Sequence, residues 1–229
     1  MKAAFIRLPR GLIMIAIVLL FLAILFCVRA FIINNSAADA IAPALFGKSV
    51  VIDPGHGGWD PGMKGSSGSI EATVNLEIAQ KLAEYCRQAG AFVSMTRETD
   101  NALGDTKAED MAARVDLTEE ADADIFISIH CNASENPQAN GTEVYVYSRS
   151  SPAFGMAEDI QQQIVSRLGT KDLGVKENTS LYVLRRTSMP AMLVELAFLT
   201  NESDAQLLRY DQYQFAYAIY QGILQYLGL

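Results

Sequence analysis

The chain contains two histidines, His56 and His130, and both stand just past an apolar run. His56 lies three residues beyond Ser49–Asp53, inside the stretch VIDPGHGGWDPGMKGSSGSIE that begins at Val51 and ends at Glu71. His130 follows Ile125–Ile129 (IFISI). Glu71 closes the glycine-rich stretch where a helical pattern begins, and Glu195 interrupts the otherwise apolar AMLVEL (Ala191–Leu196). A carboxylate in a buried strand is costly unless it is paired or bound to a metal. Two imidazoles and two carboxylates are the parts of a catalytic zinc site. Zn²⁺ in hydrolases takes three ligands from His, Asp or Glu and leaves a fourth position for water. The ion brings the pKa of that water toward neutrality and polarises a carbonyl. A further carboxylate can carry the proton to a leaving amine. On this reading His56, Glu71 and His130 are the metal ligands and Glu195 is the proton shuttle.

Two rival readings of the glycine-rich stretch explain less. A phosphate loop needs GxxxxGK[ST] or GxGxxG, and neither is present; Lys64 is followed by Gly65. A flexible turn accounts for the six glycines of the stretch but not for the histidine. Cys27, Cys86 and Cys131 show no CxxC spacing and form no disulfide framework. Cys131 follows His130 directly on a strand, so its side chain is expected to point away from the site.

The elements that must carry these residues alternate between strand and helix. Strands are expected at Ser49–Asp53, Phe92–Thr96, Ile125–Ile129, Thr142–Tyr147, Leu181–Leu184 and Ala191–Leu196. Helices are expected at Ala72–Ala89, Lys107–Ala121, Phe154–Leu168, Asn201–Leu208 and Tyr213–Tyr226. In the first helix Val74, Ile78, Leu82 and Tyr85 recur at helical spacing, and Gly90 supplies the stop. The strands are almost continuously apolar, as strands covered on both faces are. The pattern predicts an α/β domain with a largely parallel, twisted sheet of about six strands flanked by helices. Sites in such sheets form at the C-terminal strand ends.

Ahead of this domain, Gly11–Val28 is an uncharged apolar run long enough to span a bilayer. Lys2, Arg7 and Arg10 precede it and Arg29 follows, a bias that puts the N-terminus inside. The expected layout is a cytoplasmic stub and transmembrane anchor over residues 1–33, a linker over 34–46 and a catalytic domain over 47–229. The chain is then a single-pass protein of the cell membrane, with its catalytic domain outside the cytoplasm. The alternative is a signal peptide cleaved near Ala38-Asp39-Ala40, with secretion of the rest; the apolar run is longer than a signal h-region. Residues 41–229 hold 14 Lys or Arg and 25 Asp or Glu, a formal charge of −11. That surface excludes nucleic acid as an electrostatic partner.

DPGHGG with Asp60 and Gly62, Glu71, SMTRETD (Ser94–Asp100), SIHCNA (Ser128–Ala133), GTEVYVYS (Gly141–Ser148) and LVELAFLTNESD (Leu193–Asp204) together resemble the zinc-dependent N-acetylmuramoyl-L-alanine amidases. The resemblance runs from about Ser49 to the C-terminus. It implies a zinc hydrolase of peptidoglycan that cuts the amide between the lactyl group of N-acetylmuramic acid and L-alanine of the stem peptide. It also implies a six-stranded α/β fold, with His56, Glu71 and His130 as zinc ligands and Glu195 as the catalytic glutamate. Asn132 and Asn201 are expected to shape loops and cap helices. Met63 and Cys131 depart from the family pattern without removing a ligand. Only Arg149–Pro152 separate GTEVYVYS from the next helix, too few for the blocking helical insertion of some relatives. The short chain with one apolar N-terminal segment is most similar to the spore-cortex amidases of endospore formers, which act with a partner protein and lead to muramic-δ-lactam. A zinc carboxypeptidase trimming stem peptides, or a non-catalytic wall-binding protein, are the alternatives.

Overall fold

The computed structural model describes residues 44–229 except 66 and 67, together with Met14, Leu20, Phe21, Ala23 and Ile24. Apart from those five residues, the expected anchor at Gly11–Val28 and most of the expected linker lie outside the described residues. Among the described residues no helix is long and apolar enough to cross a membrane.

The strands are β1 (Ser49–Pro54), β2 (Phe92–Met95), β3 (Ile125–Asn132), β4 (Thr142–Val146), β5 (Asp172–Glu177) and β6 (Ala191–Phe198). They form one sheet in the order β2-β1-β3-β6-β4-β5. Strands β1, β2, β3 and β6 run parallel, as the near-continuous apolar runs predict. The β4–β5 pair is parallel within itself and antiparallel to β6. That reversal brings the start of β4 to the same end of the sheet as the C-termini of β3 and β6.

The helices are α1 (Glu71–Gln88), α2 (Lys107–Glu120), α3 (Ala153–Leu168), α4 (Tyr182–Arg186), α5 (Glu202–Tyr210) and α6 (Gln212–Leu227). Helix α1 buries Val74, Ile78, Leu82 and Cys86, one stripe at three- and four-residue spacing. It packs with α6, which in turn packs on α3, over one face of the sheet. Helices α2 and α4 meet on the other face. There Val115, Val183 and Leu184 pack with Val51, Phe126 and Leu193. Helix α2 starts at a capping box: Glu109 N–H donates to the Thr106 hydroxyl and Thr106 N–H donates to the Glu109 carboxylate. Asn201 caps α5 by accepting from Asp204 N–H.

The segment Leu181–Leu184 is not a strand. Tyr182–Arg186 form one turn and a half of helix. Its burial shows why: neighbours Val183 and Leu184 are buried together and Arg185 and Arg186 are exposed together, which a strand's alternation does not allow. The sixth strand is instead β5, DLGVKE, which was not expected from the sequence. It is a polar edge strand with a glycine at φ +77, so it lacks the apolar run that marked the others.

Candidate active site

Strand register decides which side chains share a face. Across β3 and β6, Phe126 pairs with Ala191, Ser128 with Leu193 and His130 with Glu195. Alternation therefore points His130 and Glu195 to the face covered by α2 and α4, at the C-terminal end of both strands. Glu143 on β4 pairs with Glu195 and joins the same row. Cys131 points the opposite way, where its thiol donates to Asn75 Oδ1 on α1 at 3.3 Å.

The loop after β1 delivers the other two groups. Gly55 N–H donates to the Ile129 carbonyl and ties the loop to β3. His56 takes φ +63, a conformation that costs a non-glycine residue about 1–2 kcal/mol. Two glycines make the crowding possible. A Cβ on Gly55 would lie 2.2 Å from the His130 ring, and one on Gly62 would lie 2.6 Å from Glu71 Oε2. The loop then returns to α1, with Glu71 as its first residue.

His56, Glu71 and His130 offer ligand atoms that all lie within 4.8 Å of one another. His56 Nε2 is 3.1 Å and His130 Nδ1 is 3.2 Å from Glu71 Oε1. These spacings fit the edge of a tetrahedron of N and O ligands about 2.0–2.1 Å from zinc, which is roughly 3.3 Å. The imidazoles keep 19% and 20% of their side-chain surface exposed, against 3% for Glu71, so the trio is open on its histidine side. Burial would raise the Glu71 carboxyl, but hydrogen bonds and charge attraction from His130 and His56 outweigh it and hold Glu71 well below the usual carboxylate range. Burial also disfavours the His56 cation, yet Glu71 and Asp60 prevail and raise its pKa. Asp60 Oδ2 lies 3.0 Å from His56 Nδ1, although that nitrogen has no aligned hydrogen-bond partner.

Glu195 is the opposite case. One of its oxygens, Oε2, is buried and has no hydrogen-bond partner. Burial pushes its carboxyl up to about 7; His130 opposes that shift, and the charges of Glu71 and Glu143 add to it. An orphaned buried carboxylate oxygen beside three potential ligands fits a site for a cation and a polar substrate.

Several residues that hold this arrangement escaped the sequence reading. Arg114 donates to the carbonyls of Pro54 and His56, at 2.8 and 2.7 Å, and pairs with Asp53 and Asp110. Arg97 donates to the carbonyls of Pro54, Gly55 and Ala72. Two buried guanidinium groups thus fix three consecutive carbonyls around His56 and the one that follows Glu71. Asn75, one turn into α1, reaches Gly55 O and Glu71 Oε1 at 3.3 and 3.4 Å. Its signal was present: an amide on a face otherwise marked by Val74, Ile78 and Leu82. Glu143 accepts from Asn132 Nδ2 at 2.8 Å and from the Tyr145 hydroxyl at 2.7 Å, and pairs with Lys176.

Residues 50–225 match the family model described as N-acetylmuramoyl-L-alanine amidase. The chain belongs to that family. The germination-specific N-acetylmuramoyl-L-alanine amidase of Bacillus subtilis is 34% identical over 216 residues, covering 90% of this chain and 91% of the relative. Among solved structures, the CwlD amidase of Clostridioides difficile, in complex with the GerS lipoprotein, superposes with a TM-score of 0.75 at 30% identity, covering 79% of this chain and 98% of that one. The catalytic domain of the amidase CwlV from Bacillus (Paenibacillus) polymyxa gives a TM-score of 0.71 at 34% identity, covering 79% and 98%. The chain is an N-acetylmuramoyl-L-alanine amidase.

Proposed function

We propose that this amidase is zinc-dependent and releases stem peptides from peptidoglycan, with His56, Glu71 and His130 holding the ion and Glu195 moving the proton. The observation that carries the reading is the trio's spacing together with the unsatisfied Glu195 oxygen beside it. When bound, zinc would acidify a water and polarise the lactyl-alanine carbonyl. Glu195, with a pKa near neutrality in the bare site, suits both halves of the proton transfer. As carboxylate it takes a proton from water; as acid it gives one to the departing alanine nitrogen. The β3–β6 pairing sets Glu195 beside His130, so the proton carrier faces the ligand group without joining it.

The likeness to the germination-specific amidase, which spans nearly all of both chains, supports a role in spore cortex and muramic-δ-lactam formation. The likeness to an amidase solved with a lipoprotein supports an activating partner outside the cytoplasm. Anchorage through residues 1–33 would put the catalytic domain, residues 47–229, against that partner and the wall. Full-length protein should purify with about one zinc per chain when chelators are avoided. Zinc-free protein that hydrolyses muropeptides at the full rate would overturn the metal assignment.

A further inference from the structure

Beside Glu195 stands a second buried carboxylate to which the proposed chemistry gives no task. Glu143 on β4 is directly opposite Glu195 in the antiparallel β4–β6 pairing, with its side chain on the same face of the sheet. Glu143 takes donors from three strands. Its Oε1 accepts from Asn132 Nδ2 at the end of β3, at 2.8 Å, and from the Tyr145 hydroxyl on β4, at 2.7 Å. Its Oε2 pairs with Lys176 Nζ from β5. Glu195 Oε2 is buried as well and has no partner. Buried polar groups are nearly always hydrogen-bonded, so three donors on one carboxylate and an orphaned oxygen on its neighbour call for a cause. Shortage of donors is not the cause. Tyr145 pairs with Leu193, two residues from Glu195 along β6, and shares its face. Lys176 pairs with Tyr145 on the next strand. Its side chain keeps 45% of its surface exposed, and its long stem can re-aim. Burial and the Glu143 carboxylate both raise the pKa of the Tyr145 hydroxyl, so it keeps its proton and stays a donor.

We propose that Glu143 is a positioning residue that acts through Glu195: by holding Tyr145 and Lys176 it keeps the oxygen of the proton carrier unpaired and open to the reacting water and amine. The inference rests on the reading of Glu195 as proton carrier. A Glu195 that accepted the Lys176 ammonium or the Tyr145 hydroxyl would have to break that bond before taking a proton, and hydrogen bonds to charged groups are the stronger ones. Glu143 suits the competing role because it is fixed in place. It is buried, and Asn132 ties it to the strand end two residues past His130. The rival account is that Glu143 only stitches β3, β4 and β5 together. The two accounts predict opposite responses when the donors are removed along with Glu143.

The test compares the zinc-loaded full chain with Glu143→Leu and with the triple variant Glu143→Leu/Tyr145→Phe/Lys176→Met. Zinc content, thermal midpoint, and kcat and KM on muropeptides are measured for each. Glu143→Leu should keep its zinc and a KM within about twofold, and lose kcat about 10- to 100-fold as the freed donors turn to Glu195. The triple variant lacks both the competitor and two of the donors, and should recover most of the lost kcat. Wild-type kcat or lost zinc in Glu143→Leu, or a triple variant no faster than Glu143→Leu, would overturn the assignment, since a stitch only weakens as more of it is removed. If Glu143→Leu does not fold, the triple variant decides, because two donors leave together with their acceptor. Its kcat within about tenfold of wild type supports the assignment, and a larger loss overturns it. The underlying reading fails separately. Full turnover by Glu195→Ala removes the proton carrier itself, whereas an inactive Glu195→Ala beside an unimpaired Glu143→Leu removes only the role of Glu143.

Discussion

At the residue scale, the two carboxylates of the site are tuned in opposite directions by their surroundings. Glu71 is held ionised by two histidines, and Glu195 is held near neutrality by burial and by Glu71 and Glu143. Their roles should separate on substitution. Glu195→Ala should keep zinc and lose turnover by about 10²–10⁴-fold, the usual worth of a proton carrier. His56→Ala should lose the metal, read by zinc content after dialysis. Near-full activity of Glu195→Ala on purified muropeptides would remove its assigned role. The same tuning has a stability signature in metal-free protein. The folded-state pKa of Glu195 is raised from 4.5 to about 7, so its contribution is complete below 4.5 and is lost as pH rises through 7. Glu195→Gln should therefore stabilise the metal-free chain at pH 8, by at most about 3 kcal/mol at 1.36 kcal/mol per unit, and leave it little changed at pH 4. Thermal melts at the two pH values check this, and an equal shift at both would contradict it.

At the scale of elements, the site depends on how closely the loop after β1 approaches β3. Gly55→Ala should displace the His130 ring, since the added Cβ falls 2.2 Å from it, and weaken zinc binding at least tenfold. Gly68→Ala meets nothing within 4 Å and should cost only the strain of its φ of +83, about 1 kcal/mol, with zinc binding intact. Equal zinc affinity in the two variants would show that the close approach does not set the ligand geometry. Arg114→Gln should destabilise the fold by about 3–5 kcal/mol, because it leaves Asp53 and Asp110 buried without their cation. Denaturant midpoints at constant slope measure it.

The four candidate residues stood out in the sequence because of the places they occupy, at strand ends, at a helix start and inside an apolar run. Only two histidines exist, and a lone glutamate in AMLVEL is costly in a buried strand unless it is paired or metal-bound. Their support was less legible. Arg97 and Arg114 act on backbone carbonyls, and nothing in a side-chain pattern says which carbonyls lack partners. The α4 turn was mistaken for a strand because four apolar residues fit either period. Strand β5 was missed because its charges suit an exposed edge, and pairing to β4 rather than burial makes it a strand.

At the scale of the whole molecule, the domain over residues 41–229 carries a formal charge of −11. Affinity for polyanions such as DNA should be negligible at physiological salt. The central claim is the identity of the bond cut. Mass spectrometry of purified peptidoglycan digested with the zinc-loaded protein tests it most directly. The account predicts intact free stem peptides with a new L-alanine N-terminus and glycan strands bearing bare lactyl groups. Shortened stems still attached to the sugar would contradict it and mark the protein as a peptidase.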